Sequence, residues 1–251
     1  MSTTKKLSCL SVAIFSIICG FVMQTKKPVV YMIGDSTMAN KEEKAKPETG
    51  WGQVFNRFFT DAIIIDNRAV NGRSSKSFIG EGRWSNILST LKKGDYVIIQ
   101  FGHNDAKKDT AKYTDPKTTF RATLAKYINE TRAKGAYPIL CTSIVRRHFD
   151  AKGQLKDTHG DYVKVPRQLA AEMHVPLIDM EAKTRKLVTG LGPEKSKKIF
   201  LFTQPGEYPN RPNGVQDSTH LNEKGAMMVA ALAVEGIKEL KLPLAKYLKK
   251  D

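Results

Sequence analysis

Five short apolar runs recur along the chain: Val29–Ile33, Ala62–Asp66, Tyr96–Phe101, Tyr137–Thr142 and Pro176–Asp179. Between and after them lie longer stretches of helical character. These are Gly50–Phe59, Arg83–Leu91, Pro116–Lys134, Asp161–Met173, Ala182–Thr189 and Asn222–Leu240. Strands that alternate with helices imply right-handed crossovers and a parallel sheet covered on both faces. At 251 residues there is room for one large α/β domain or two small ones. No linker, repeat or low-complexity segment interrupts the chain after residue 28.

In a parallel sheet, ligands bind beyond the carboxyl ends of the strands. That rule sorts the polar clusters. Gly34-Asp35-Ser36-Thr37 follows the first run, Asn71-Gly72-Arg73-Ser74 the second and Gly102-His103-Asn104-Asp105 the third. All three are expected on one rim. Asp217-Ser218-Thr219-His220 stands just before the last helical stretch, whose start points at the same rim.

Lys5 and Lys6 precede an uncharged stretch from Leu7 to Met23, which Lys26 and Lys27 close. This is the layout of a secretory signal, expected over residues 1–24, with the folded domain over 28–251. The stretch is slightly short for a spanning helix, which needs roughly 20 apolar residues. The expected address is periplasmic or extracellular, without a stable membrane partner. Cys19 raises a lipid anchor, but Ile18 before it is not the small residue such a site wants. Cys9 and Cys19 fall inside the signal. Cys141 is then alone and can form neither an intramolecular disulfide nor a cysteine metal site. The fold must stand on its core.

Lys and Arg outnumber Asp and Glu 41 to 25, a formal charge of +16. A solvated basic surface accounts for that, and so does attraction to a polyanion. No basic stretch interleaved with aromatics marks a nucleic-acid surface, so an acidic polysaccharide is the polyanion that suits an exported protein. The Lys/Leu tail from Lys238 to Lys250 reads as a closing amphipathic helix.

Serine is a weak nucleophile until a base takes its proton. Histidine can act as that base at neutral pH, and a carboxylate can fix its tautomer. Ser36, His220 and Asp217 offer this set. Of the five histidines, only His220 has a carboxylate three residues before it in a segment placed to cap a helix. Acyl transfer also needs donors aimed at the developing oxyanion. The backbone N–H groups of Ser36 and Gly72 and the side-chain amide of Asn104 are candidates. Each residue alone has an ordinary reading: a turn serine, a turn glycine, a loop cap, a loop aspartate. It is their joint placement that favours chemistry. His103 and Asp105 are close in sequence, but no metal-ligand spacing accompanies them, and no phosphate-binding Gly-Lys-Ser/Thr element is present. A Gly-x-Ser-x-Gly nucleophile elbow is also absent, which argues against an ordinary α/β-hydrolase.

Taken together, Gly34-Asp35-Ser36, Gly72, Asn104 and Asp217-x-x-His220 resemble the four blocks of the SGNH (GDSL-like) hydrolases. The longer stretches from Ile33 to Ala39, Asn71 to Ser77, Glu81 to Trp84, Gln100 to Asp105 and Asp217 to Asn222, with Gly225-Ala226, resemble the rhamnogalacturonan acetylesterases. The resemblance implies a three-layer α/β/α sandwich with a parallel flavodoxin-like sheet. It implies a serine esterase with neither metal nor cofactor. It also implies removal of acetyl groups from pectic polysaccharide, with Ser36 as nucleophile, Asp217 and His220 completing the triad, and Ser36, Gly72 and Asn104 forming the oxyanion hole. Fungal members carry disulfides; this chain cannot, and so resembles the bacterial branch.

For substrate contact, Arg73, Lys76 and Arg83 beside the second block, and His103 beside the third, are candidates to meet galacturonate or sugar. Surface charge or a structural ion pair explains the cations equally well. The charged segment from Lys41 to Thr49 borders the expected cleft. Three other readings stay open: an esterase of acetylxylan or another glycan, a carbohydrate-binding protein without catalysis, and a lipid esterase. The last is disfavoured because no long apolar stretch lies near the site to hold an acyl chain.

Overall fold

The computed structural model describes residues 26–250; the expected signal segment lies outside the described residues. Five parallel strands form the central sheet: β1 (Val29–Gly34), β2 (Ile64–Asn67), β3 (Tyr96–Gln100), β4 (Tyr137–Cys141) and β5 (Leu177–Ile178). Their order is β2-β1-β3-β4-β5, the doubly wound order in which chain direction across the sheet reverses between β1 and β3. Alternate residues of each strand serve opposite faces. Val30, Met32, Ile98 and Ile139 enter one core, while Tyr31, Ile33, Val97, Ile99 and Leu140 enter the other. Both faces are covered, which is why the strands read as continuous apolar runs rather than alternating ones.

One face is covered by α1 (Ser75–Gly80), α2 (Arg83–Leu88), α3 (Arg121–Ala133) and α4 (Asp161–Glu172). The other is covered by α5 (Met180–Lys195), α6 (Glu223–Glu239) and short 3-10 turns at Trp51–Gln53 and Phe55–Phe58. The result is a three-layer α/β/α sandwich. The entry to α3 is set locally: Pro116 begins the helical run, and the Asp115 carboxylate accepts from the Lys117 and Thr118 amides at 3.0 Å each. α6 is capped by Asn222, whose side-chain oxygen accepts from the Gly225 amide at 3.0 Å. It buries Ala226, Val229, Ala230, Ala233 and Ile237 against the sheet, each of the larger side chains contributing about 1.5–3 kcal/mol by removal from water. Gly225 permits that docking, because a Cβ there would lie 1.8 Å from the Ile199 carbonyl oxygen.

Three segments differ from the sequence reading. The stretch Gly50–Phe59 is not one helix but two 3-10 turns, which bury Trp51 and Phe55 in edge-to-face contact 5.5 Å apart. The tail does not continue as a helix: α6 stops at Glu239, and Pro243, lacking an N–H, begins a 3-10 turn that ends at Tyr247. Leu244 is then buried and Leu248 pairs with Phe59. Last, β6 (Phe200–Thr203) and β7 (Val215–Leu221) form an antiparallel hairpin outside the main sheet. Asp217 and His220 therefore lie on a strand.

Candidate active site

The three polar clusters follow the carboxyl ends of β1, β2 and β3 and share one rim, and the β6–β7 hairpin brings its strand to meet them. Ser36, two residues beyond β1, stands at the reversal point between β1 and β3. Its Oγ lies 2.9 Å from His220 Nε2. His220 Nδ1 lies 2.7 Å from Asp217 Oδ2. The second oxygen, Asp217 Oδ1, accepts from the amides of Thr219 at 2.7 Å and His220 at 3.0 Å. Partial burial pushes the Asp217 carboxyl up, but hydrogen bonds from the His220 ring and from the two amides outweigh it and hold the group well below the usual carboxylate range. An ionised carboxylate only accepts, so Nδ1 carries the ring proton and Nε2 keeps a lone pair for the Ser36 hydroxyl.

Unused donors lie in segments along the same rim. Among the described residues the amides of Ser36 and Gly72 donate to no protein acceptor. Gly72 is left-handed, φ +75°, with open space where a Cβ would be. The Asn104 side-chain amide donates one hydrogen to the Arg73 carbonyl at 3.1 Å, leaving its other hydrogen.

The turn that presents Ser36 is fastened from below. Asp35 is fully buried, and its Oδ1 accepts from the Thr37 amide and hydroxyl at 2.9 and 2.8 Å. The Thr37 hydroxyl in turn accepts from Gln100 Nε2 at 2.9 Å, and Gln100 Oε1 accepts from Trp51 Nε1 at 3.1 Å. Burial raises the Asp35 carboxyl against the opposing Thr37 bonds. Asp105 is the equivalent anchor beneath the third cluster. It accepts from the Gly102 amide, the Ser75 amide and hydroxyl, and the Thr114 hydroxyl. Burial dominates there too, pushing its carboxyl up to about 6.

Residues 32–227, which hold all of these positions, match the GDSL-like lipase/acylhydrolase family. The chain belongs to that family. This GDSL-like hydrolase is 45% identical over 224 residues to the rhamnogalacturonan acetylesterase RhgT of Bacillus subtilis, covering 89% of this chain and 95% of the relative. It is 38% identical over 223 residues to a probable rhamnogalacturonan acetylesterase, YesY, of the same organism, covering 88% and 98%. The crystal structure of the Bacillus subtilis protein YxiM superposes with a TM-score of 0.72 at 28% identity, over 86% of this chain and 58% of that one. The acetylxylan esterase Axe2 of Geobacillus stearothermophilus shares the fold, with a TM-score of 0.61 at 19% identity over 84% and 94%. The protein is an ester hydrolase of the SGNH type, related to the rhamnogalacturonan acetylesterases.

The hydrolase places the other candidates differently. His103 is buried, 3% exposed, with Nδ1 3.0 Å from His159 Nε2 and its own Nε2 without a partner among the described residues. Burial, followed by the Arg146 charge, holds it well below the usual histidine range, and His159 is pushed down to about 2 by burial, then by the His103 ring and the Arg146 charge. Both rings are therefore neutral and pack edge-to-face, with centroids 4.5 Å apart. Arg73 and Arg83 reach the surface but share one counter-ion. Arg73 Nε lies 3.1 Å from both Glu81 oxygens and Arg83 Nε 2.6 Å from one of them. The Lys76 ammonium donates to the Thr110 carbonyl at 2.7 Å. Among the described residues, no group of three or more His, Cys, Asp or Glu side chains is placed to hold a metal ion.

Gln100, Trp51 and Arg146 escaped the sequence reading. Gln100 and Trp51 lie inside apolar stretches, and their hydrogen bond joins residues 49 positions apart. Arg146, half-buried, donates to the carbonyls of His103 and Thr158 and so ties the third cluster to the segment after β4. Nothing in the local pattern distinguishes it from a surface arginine.

Proposed function

We propose that this hydrolase removes acetyl groups from acetylated pectic polysaccharide through an acetyl-serine intermediate. The observation that carries the chemistry is the unbroken relay from Ser36 Oγ through His220 to Asp217, at 2.9 and 2.7 Å, beside three donors with unused hydrogens. The pectic substrate is supported by the 45% identity to RhgT over 95% of that protein's length.

His220 Nε2 takes the Ser36 proton as Oγ attacks the acetyl carbonyl carbon. The carbonyl electron pair moves onto oxygen, and the amides of Ser36 and Gly72 with the Asn104 side chain receive that charge. Asp217 stabilises the imidazolium. The intermediate collapses, the ester C–O bond breaks, and His220 returns the proton to the departing sugar oxygen. Water, deprotonated by the same nitrogen, then attacks the acetyl-serine and releases acetate. The charged-then-apolar segment before residue 28 supports export to the compartment where such polymers occur. Among the described residues, no helix is long and apolar enough to cross a membrane.

The test is acetate release from acetylated rhamnogalacturonan and acetylated xylan, side by side, with Ser36→Ala as control. Release from the pectic polymer, lost on the order of 10⁴-fold or more in the variant, is expected. Release from xylan alone discards the pectic substrate and keeps the chemistry. A Ser36→Ala variant as active as the parent discards the chemistry.

A further inference from the structure

The loop from Lys41 to Thr49 leaves the nucleophile turn carrying charges of both signs, the pattern of a solvated face. Its first lysine is not solvated. The Lys41 side chain is 2% exposed, pairs with Glu48 Oε1 at 2.7 Å and donates to Asn71 Oδ1 at 2.6 Å. Glu48 is itself largely covered and faces Arg211, 3.6 Å away, from the loop joining β6 to β7. The same Arg211 donates to the Ala45 carbonyl at 2.9 Å, and Asn210 donates to the carbonyls of Lys44 and Lys46 at 2.6 and 2.7 Å.

The two residues of this ion pair reach different halves of the site, Lys41 through its ammonium and Glu48 through its main chain. Asn71 immediately precedes Gly72, whose amide is one of the three oxyanion donors. Glu48 bridges Asn222, and the neighbouring Thr49 amide donates to the Leu221 carbonyl at 2.9 Å; Leu221 directly follows His220. One covered ion pair therefore spans from the donor segment to the base segment, and it starts from the loop that carries the nucleophile. Both charges are largely out of water, where salt screens them little. Removing Glu48 would leave the covered Lys41 without its charged partner, and removing Lys41 would leave Glu48 with Arg211 alone, 3.6 Å away.

We propose that Lys41 and Glu48 are positioning residues that hold the Gly72 amide in register with the Ser36–His220 couple. The proposal rests on the serine-esterase reading of the site. The ammonium touches neither substrate nor the reacting atoms; it acts through Asn71. Its loss lets the Asn71–Gly72 segment drift, and a displacement near 1 Å can cost on the order of 10²-fold in rate. The effect belongs in kcat, because the oxyanion exists only after attack.

The experiment compares Lys41→Met, which keeps the stem and removes the charge, with Asn71→Ala, which keeps the ion pair and cuts its arm. Both are assayed as the folded full chain on a small acetyl ester, with kcat and KM separated, and with a boronic acid that forms a tetrahedral adduct on Ser36. Lys41→Met is expected to lose about 10–10² in kcat with KM within about twofold, and to bind the boronate more weakly by the same factor. The Asn71→Ala loss is smaller, and in the double variant the losses do not add, since both remove one contact. If Lys41→Met does not fold, Asn71→Ala decides, because its site is exposed. Unchanged kcat in Asn71→Ala, additive losses, or a loss matched by the unfolded fraction would each overturn the proposal. A Ser36→Ala variant that stays active would instead overturn the esterase reading beneath it, so the two failures are distinguishable.

Discussion

Replacing Asp217 by asparagine isolates the tautomer argument. In the parent, Oδ1 accepts from two amides at 2.7 and 3.0 Å and Oδ2 accepts from His220 Nδ1 at 2.7 Å. An asparagine is nearly isosteric, and its orientation is forced. Its carbonyl oxygen must stay with the two amides, since an NH2 facing two N–H groups would leave three donors unsatisfied. The NH2 then faces Nδ1, which becomes an acceptor, and the ring proton moves to Nε2. That nitrogen now points a hydrogen at Ser36 Oγ, 2.9 Å away, and cannot take the serine proton. In chymotrypsin-like enzymes the corresponding exchange lowers kcat about 10⁴-fold, which is about 5.4 kcal/mol of activation free energy. The same loss is expected here. The assay is kcat on a small acetyl ester at neutral pH, with circular dichroism to establish that the variant is folded. A folded Asp217→Asn enzyme within about tenfold of the parent would refute the reasoning, because the Nδ1 contact would then not be what readies Nε2.

Acid stability follows from the same carboxylate. Its pKa is depressed in the folded chain, so the stability it confers is present above the ordinary carboxylate value of about 4 and is lost as pH falls through the depressed one. Asp217→Asn should therefore show a flatter loss of stability below pH ~4 than the parent, and equal acid sensitivity in the two would count against this. Gly225→Ala forces a Cβ to within 1.8 Å of the Ile199 carbonyl oxygen; a loss of about 2 kcal/mol or more is expected in denaturant unfolding, and an unchanged midpoint would contradict it. Cys141 is free and buried, and burial pushes its thiol well above the usual range. A thiol reagent should label Cys141 only after denaturation, so rapid labelling of that residue in the native chain, located by peptide mass analysis apart from Cys9 and Cys19, would show that the site opens.

Much of the fold was legible because the central strands are buried on both faces. Val29–Ile33 and Tyr96–Phe101 could be read as strands from their apolar runs alone, and the helices between them implied the parallel sheet. The β6–β7 hairpin was not legible for the opposite reason. Its second strand, Val215–Leu221, carries Gln216, Asp217, Ser218, Thr219 and His220 and is mostly half-buried, so no apolar run marks it. The 3-10 turns at residues 51–58 carry helix-compatible spacing, but their path is set by burial of Trp51 and Phe55 against the core, a tertiary demand that local pattern does not encode.

The same distinction runs through the site. The candidate catalytic residues announce themselves: Ser36, Gly72, Asn104, Asp217 and His220 each sit in a polar cluster at a strand end or on the hairpin. Residues that hold them in place do not. Trp51, Gln100 and Thr37 form a buried chain of hydrogen bonds under the nucleophile turn, yet two of them read as core and one as turn chemistry. The sequence places Lys41 and Glu48 in a charged segment bordering the cleft, but that the two charges are covered and paired is visible only in the structure. Glu81 shows the converse, since the arginines it binds read as substrate contacts while the structure pairs both to it. A cation's exposure and partner, neither of which is local in sequence, decide whether it recruits a ligand or fastens a loop. Among the described residues, the segments bearing Gly72 and His220 share no main-chain hydrogen bond. The loop bearing Lys41 and Glu48 connects them: the Lys41 ammonium donates to Asn71, and the Thr49 amide donates to the Leu221 carbonyl.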